Sequence, residues 1–500
     1  MEQVRYKNPV IKGFYPDPSV CAANGKYYLA ASSFQYFPGV PLFESDDLVN
    51  WVQTGYALTR SEQVMLDRIN SSGGVFAPTL RFNNGRFYMV TTNDTTHQNF
   101  YVWTDDIYGE WSDPVYVDQG GIDPSLLFDD GRVYFISNGS DDFGESGVVQ
   151  CEIDICTGRK LTPSRCIWKG SGGRFLESPH MYKINGRYYL MAAEGGTEYG
   201  HMITYARSDS PWGSFDNYPL NPVLTNRNKA PYIIQGIGHG DLIQDKNGEW
   251  HILCLGFRQM HRWMPFHHLG RETFLIPVKF GEDGWFTAGN DGTCDEEYEI
   301  NGSFTQNEKR SYTFENMLWN VDWQYLRKPH PENYIFDKNS ITLKGTDITL
   351  NDTDSPTFIC THQRDFCFEL KAKITVDSAG SPDGPVPEAG ITIYHDETEH
   401  YDICIKHKVT GYYAALMLNI GGINHEQNAT GITPHSSLDI VIKADNYGYT
   451  FFAGGHELGH GASKYLSSEV CGGFTGTVIG LYAVGGVTAT FSDLGIKYNQ

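Results

Sequence analysis

Tyr15-Pro16-Asp17-Pro18-Ser19 is followed by Gly25-Lys26-Tyr27-Tyr28-Leu29, and the chain repeats this pair of phrases. Pro18 stands seven residues before Gly25, and Pro78 in Phe76-Ala77-Pro78-Thr79 stands seven before Gly85. The same offset separates Pro124 in Ile122-Asp123-Pro124-Ser125 from Gly131, and Pro179 in Glu177-Ser178-Pro179-His180 from Gly186. A fifth, worn copy has Asp241 seven before Gly248, preceded by His239-Gly240. Asn-Gly or Asp-Gly ahead of an aromatic, β-branched run is a hairpin signal. The unit returns roughly every 45 to 60 residues, the period of a four-stranded propeller blade. Polar loops ending in Trp51, Trp111 and Trp212 close three of the units. The reading is all-β, with a five-bladed β-propeller over residues 1–303.

A propeller sets one strand of each blade around a central channel, so matched positions form a ring. Asp17, Ala77, Asp123, Glu177 and His239 begin the five units. Three carboxylates and a histidine are therefore expected at one mouth of the channel. Asp before Pro is also a common turn initiator, which explains one such motif but not three in register. Glu has no advantage in a turn, so Glu177 needs another reason. Crowded carboxylates in a low-dielectric site raise the pKa of at least one of them. A raised-pKa acid beside an ionised carboxylate is the equipment for cutting a glycosidic bond.

Composition narrows the partners. The formal net charge of −22 over 500 residues argues against nucleic acid and anionic membrane. It suits a soluble enzyme on a neutral substrate. The N-terminus has no apolar run, so no signal peptide or transmembrane segment is expected. The ten scattered cysteines lack a CxxC pair and read as reduced thiols of a cytoplasmic protein. Gly-Gly pairs at 73–74, 120–121, 172–173 and 195–196 allow tight loops near the carboxylates.

Several other residues are candidates with two readings. Arg271 is a clamp on a substrate hydroxyl or a catalytic carboxylate, or else a structural partner of a Glu. Phe34, Phe37 and Phe76 are apolar walls of a sugar pocket, or ordinary core aromatics. His239 holds a water or a structural Ca2+ in the channel, or is a hydrogen-bonded core histidine. His267 and His268 are surface residues, substrate contacts or ion ligands. No cofactor is expected for the chemistry itself.

The blade repeat stops near residue 304. Alternating strands then run through 366–373, 389–394, 401–406, 438–442 and 477–482, which predicts a β-sandwich over 304–500. His456-Glu457-Leu458-Gly459-His460 matches the zinc-protease HExxH pattern, but that chemistry needs a helix. Phe451-Phe452-Ala453-Gly454-Gly455 leads into it as a strand end, so the match is read as chance.

The chain resembles glycoside hydrolase family 43, the β-xylosidase and α-L-arabinofuranosidase group, across both domains. Tyr15-Pro16-Asp17-Pro18-Ser19, Gly121-Ile122-Asp123-Pro124-Ser125 and Glu177-Ser178-Pro179-His180 resemble the family's base, middle and acid motifs. Glu194-Gly195-Gly196-Thr197 and Gly270-Arg271-Glu272-Thr273 resemble further signatures. The resemblance implies inversion by single displacement. Asp17 would be the general base and Glu177 the general acid, kept protonated by burial and acidic neighbours. Asp123 would orient the sugar or Glu177 and tune its pKa. Base and acid carboxyls roughly 6.5–9.5 Å apart fit such a mechanism. The C-terminal part resembles the β-sandwich that walls one side of the pocket, with Ser355-Pro356-Thr357-Phe358 and Gln363-Arg364 as parts of that wall. Ser178 replaces the family's usual Gly, and Phe76-Ala77-Pro78-Thr79 stands where xylosidases often carry Trp-Ala-Pro-His. The Thr-bearing version points toward arabinofuranosidase and mixed activities. The expected substrate is an oligosaccharide from hemicellulose, such as an arabinoxylan fragment, giving up a terminal pentose. The alternatives are an endo-acting arabinanase and a non-catalytic sugar-binding propeller. Homo-oligomer formation is a further candidate.

Overall fold

Four of the five repeated turns adopt one geometry in the computed structural model, which describes residues 3–377 and 384–499. Asn24-Gly25, Asn84-Gly85, Asp130-Gly131 and Asn185-Gly186 all have positive φ at both positions, between 48° and 82°. This is the two-residue hairpin turn whose twist matches paired strands, and Asn or Asp before Gly adopts it at least cost. Each turn joins the inner two strands of a four-stranded antiparallel blade. The inner strands are Ser19–Ala23, Thr79–Asn83, Ile122–Asp129, Glu177–Ile184 and Ile234–Gln244.

The fifth blade differs. Its hairpin pairs Gln244 with Trp250, leaving a five-residue loop whose Asp245 caps the N–H groups of Asn247 and Glu249. The longer loop slides the seven-residue count. It therefore lands on Asp241, two residues past His239.

Strand alternation explains the doubled aromatics of the repeat. Successive side chains point to opposite faces, and both faces of a blade are covered by neighbours. Tyr27 and Leu29 pack with Leu253 and Leu275 of blade 5, whereas Tyr28 packs with Phe87 and Met89 of blade 2. Tyr188 faces Tyr134 and Ile136 of blade 3, and Tyr189 faces Ile252 and Phe274 of blade 5. Tyr88 and Val90 complete the circle against Leu126 and Phe135. The N-terminal strand Gln3–Lys7 pairs with Glu297–Asn301, and Asn8 exchanges two hydrogen bonds with the backbone of Leu275. These contacts fasten the chain's start to blade 5.

The channel floor is polar. Asp241, fully buried, accepts bonds from Ser19 Oγ (2.6 Å), Val20 N (3.0 Å) and Tyr182 Oη (2.5 Å). Arg81 forks onto both its oxygens at 2.7 and 3.1 Å. The Arg81 Nη2 also meets His180 Nδ1 at 2.8 Å. Burial alone would raise the Asp241 carboxyl, but Arg81 and its hydrogen bonds outweigh this and hold it well below the usual range. Burial pulls His180 down to about 3, so it stays neutral here.

Residues from Ser311 onward form two packed sheets of eight strands each, with one shared core. One sheet borrows a strand from the propeller. Tyr36–Phe37, in the loop of blade 1, pairs with Gln324–Leu326 at the sheet's edge. This bonding locks the two domains together. The HExxH stretch is strand His456–Ala462, with His456, Glu457 and His460 exposed on an edge. The zinc-protease pattern is thus a chance match. None of the ten cysteines is in a disulfide.

Asp241→Ala should lower stability by about 3–5 kcal/mol, because it strands the Arg81 charge on the axis. Urea or thermal unfolding checks this. Asp241 titrates below its unfolded value, so its contribution is complete above about pH 4 and fades as pH falls through the folded pKa. The variant should therefore lose most of its deficit relative to wild type in strong acid. A change under ~1 kcal/mol at neutral pH would contradict the role.

Candidate active site

The upper end of the channel is built by irregular backbone. Asp17, Asp123, Ser178 and His239 all have left-handed φ, at 54°, 53°, 55° and 46°. In blades 3, 4 and 5 the inner ladder shifts register at these residues. Such a conformation costs a non-glycine residue about 1–3 kcal/mol and persists only where surroundings enforce it. In return it turns side chains toward the axis. Asp17 lies two residues before Ser19 and His239 two before Asp241, so the mouth residues adjoin the floor residues in the chain.

One residue departs from the expected register. Ser178, not Glu177, occupies the slot of Asp17 and Asp123. Glu177 lies one position earlier, in ladder pairing with Ala193. Asp123 Oδ2 accepts the Ser178 N–H at 2.9 Å, which fixes the peptide beside Glu177. The three carboxylates still meet. His239 Nδ1 lies 3.6 Å from Asp17 Oδ1 and 3.9 Å from Asp123 Oδ2. Ala77 in blade 2 supplies no polar group.

The electrostatics differ sharply between these acids. Asp17 is 4% exposed, and burial pushes its carboxyl up. Arg271 Nη1 at 2.8 Å, His239, and the Ser32 hydroxyl at 2.5 Å together outweigh burial and hold it below the ordinary value. Asp123 is pushed well above its ordinary value by burial, then by Glu177 and Asp17. Burial pulls His239 down against the opposing charges of Asp17 and Glu177. Glu177 Oε1 faces His201 Nε2 at 3.4 Å, and His201 Nδ1 donates to Gly236 O at 3.1 Å. In the neutral ring that leaves an acceptor nitrogen facing the Glu177 carboxyl.

Arg271 is therefore a clamp on a carboxylate. It also donates to Thr197 Oγ1 at 3.0 Å, so both Gly270-Arg271-Glu272-Thr273 and Glu194-Gly195-Gly196-Thr197 contribute to one cluster. The structural Arg–Glu pair exists, but it joins Glu272 to Arg258, at 2.7 and 2.8 Å. Glu194 is buried and takes the N–H groups of Ser171 and Gly173, so it shapes the loop ahead of Glu177.

Of the three phenylalanines, two are at the site. Phe34 and Phe76 lie 5.2 Å apart, and Arg271 sits 5.6 Å from the Phe34 ring. Phe37 does not join them. It is 7% exposed, in the core between blades 1 and 2, and its backbone is committed to the sandwich strand Gln324–Leu326. The third aromatic is Phe474, from the sandwich, 6.1 Å from Phe34 and 6.2 Å from Phe76. Its N–H donates to Ser72 Oγ at 2.8 Å, and its carbonyl accepts from Arg271. The loop can approach because Gly270 and Gly476 touch backbone to backbone. A Cβ on Gly476 would lie 2.4 Å from Leu269 O.

The stretches expected to form the wall lie elsewhere. Phe358 is a fully buried core residue, and Gln363 bonds Tyr449 and Thr477. Arg364 reaches Tyr15 Oη at 3.4 Å. They belong to the domain interface, not the pocket. His267 and His268 join them there. His267 stacks on Phe257 and bonds Glu469, and burial pulls the enclosed His268 down to about 3. Sequence reasoning missed Ser32, His201 and Phe474. Phe474 had one signal, an aromatic inside the glycine-rich run Cys471-Gly472-Gly473-Phe474-Thr475-Gly476.

Among the described residues, three potential metal ligands converge at His395, Asp396 and Cys471, and at Asp245, Glu249 and His251. Neither group includes His239.

A five-bladed propeller with one carboxyl held low and a second, buried carboxyl pushed up beside it at one mouth has the equipment of a glycoside hydrolase. Residues 6–286 match the family described as glycosyl hydrolases family 43, and residues 311–493 match the β-xylosidase C-terminal concanavalin A-like domain. The chain belongs to that family. It is 37% identical to a non-reducing end α-L-arabinofuranosidase of Bacteroides ovatus, over 97% of this chain and 92% of that one. It is 32% identical to a xylosidase/arabinosidase of Butyrivibrio fibrisolvens, over 95% of both. The solved structure of Bacteroides ovatus xyloglucan PUL GH43B superposes with a TM-score of 0.91 at 36% identity, covering 99% of this chain and all of that one.

Arg271→Gln removes the cation that holds Asp17 low. The acid limb of the pH–kcat/KM profile should then move to higher pH, with kcat/KM near neutrality down roughly 10²-fold. An unmoved limb would mean that Asp17 is not the group titrating there.

Proposed function

We propose that the enzyme removes terminal pentose, α-L-arabinofuranose or β-D-xylose, from hemicellulose-derived oligosaccharides, with inversion. One observation carries this reading: Arg271 holds the Asp17 carboxyl below its ordinary value, while burial, Glu177 and Asp17 push the Asp123 carboxyl well above its own. Environments that push neighbouring carboxyls apart assign acid and base. Asp17 is the general base, taking a proton from water as it attacks the anomeric carbon. Glu177 is the general acid, giving its proton to the departing oxygen. The His201 nitrogen facing Glu177 suits a carboxyl that arrives carrying that proton. Asp123 orients Glu177 by accepting the Ser178 N–H, and the two acids crowd one another. Both proton transfers run through side chains, so the chemistry needs no metal. His239 closes the channel beneath the sugar.

The pentose preference is supported by the relatives, which are named for arabinofuranosidase and xylosidase/arabinosidase activity. Action at chain ends is supported by the Phe34, Phe76 and Phe474 collar, because an aromatic loop from the second domain gives a pocket rather than an open cleft. That favours exo action over an endo-arabinanase. The retained acid and base argue against a purely sugar-binding propeller. Ten unpaired thiols support a reducing, cytoplasmic setting.

Glu177→Ala should cut kcat on unactivated xylosides and arabinofuranosides by roughly 10³-fold or more. It should cut kcat far less on 2,4-dinitrophenyl glycosides, whose leaving group needs no proton. Asp17→Ala should lose activity on both kinds alike. Equal losses for Glu177→Ala across leaving groups would remove it as the acid.

A further inference from the structure

Phe175 is exposed where a phenylalanine gains nothing from exposure. It stands two residues before Glu177, its φ is 52°, and it is 63% exposed. Left-handed backbone and an uncovered ring both cost free energy. The neighbours enforce the arrangement. Gly195 N donates to Arg174 O at 2.7 Å, and Arg174 Nε returns a bond to Gly195 O at 3.1 Å. The ring lies against Gly196, where a Cβ would fall 3.0 Å from it. The next residue, Thr197, accepts from Arg271 of the carboxylate cluster. The ring is thus tied to the pocket along two routes, through Leu176 to Glu177 and through Thr197 to Arg271. Arg174 Cζ lies over the ring, 5.1 Å from its centroid, and the guanidinium pairs with Glu198.

An exposed aromatic ring with charged groups beside it is what a sugar ring needs: the aromatic surface meets its C–H bonds and the charges meet its hydroxyls. The side matters too. The acid protonates the departing oxygen, so the departing group lies on the Glu177 side. We propose that Phe175, with the Arg174–Glu198 pair beside it, is the platform for the sugar unit of the leaving group. It is a specificity-determining residue for oligosaccharides over simple glycosides. The inference rests on Glu177 acting as the acid.

The test compares a disaccharide with the methyl glycoside of the same terminal pentose. Phe175→Ala should lower kcat/KM about tenfold on the disaccharide, close to 1.4 kcal/mol, and leave the methyl glycoside within about twofold. Phe175→Trp, which keeps an aromatic face, should retain the disaccharide preference. Equal losses on both substrates would mark Phe175 as merely structural, and no loss on the disaccharide would show that no sugar rests there. Either result overturns the platform. A wild-type enzyme that cleaves neither substrate would instead overturn the reading of function, and the platform with it.

Discussion

The arrangement depends on a buried charge. Blades touch their neighbours through aromatic layers, and a polar cluster draws their inner strands together. Asp241 stands there, fully enclosed, and takes donors from Ser19 of blade 1, Arg81 of blade 2 and Tyr182 of blade 4. A lone carboxylate in that position would cost several kcal/mol, so each partner is obligatory. Removing Asp241 would leave all of these donors without this acceptor. Because the donors come from separate blades, the same bonds set how closely the inner strands approach.

The mouth inherits that spacing. Ser19 and Asp241 are floor residues, and Asp17 and His239 precede them by two positions in the chain. Left-handed backbone at the mouth turns these side chains onto the axis, where water is scarce and charges act strongly on one another. Arg271 settles which carboxylate stays ionised. Asp123, crowded by two acids, is pushed the other way. Chemical differentiation thus follows from where one guanidinium sits. The sandwich adds the last wall, and it is held by a shared strand and by glycine backbone contacts rather than by a linker alone.

Much of this was legible in the sequence because turn chemistry is local. Asn-Gly and Asp-Gly at a fixed offset announce a hairpin without tertiary information, and four of five copies adopt the same turn. Asp17 and Asp123 followed from the same count, whereas Arg271 was a candidate only for its donor fork, with a structural Arg–Glu pair as the other reading. In the fifth copy a longer hairpin loop puts Asp241 at the seven-residue offset, and His239, two residues earlier, takes the place in the ring. Glu177 sits one residue off its slot, because Ser178, eight residues before Gly186, is the match to Asp17, eight before Gly25. Phe37 and Phe34 are equivalent by composition, and only pairing with a strand some 290 residues later separates them. Phe474 and His201 were hidden for the same reason: their roles come from contacts across the fold. The interface glycines Gly270 and Gly476 look like any turn glycines until the two backbones are seen to meet.

The central claim is that an ionised Asp17 and a proton-carrying Glu177 act across one sugar, with water entering from the Asp17 side. The most direct measurement is 1H NMR of the first sugar released, read before mutarotation. The account predicts an anomeric configuration opposite to that of the substrate, α-xylose from a β-xyloside. First release of β-xylose would mean that a carboxylate attacks the sugar itself, and would contradict it.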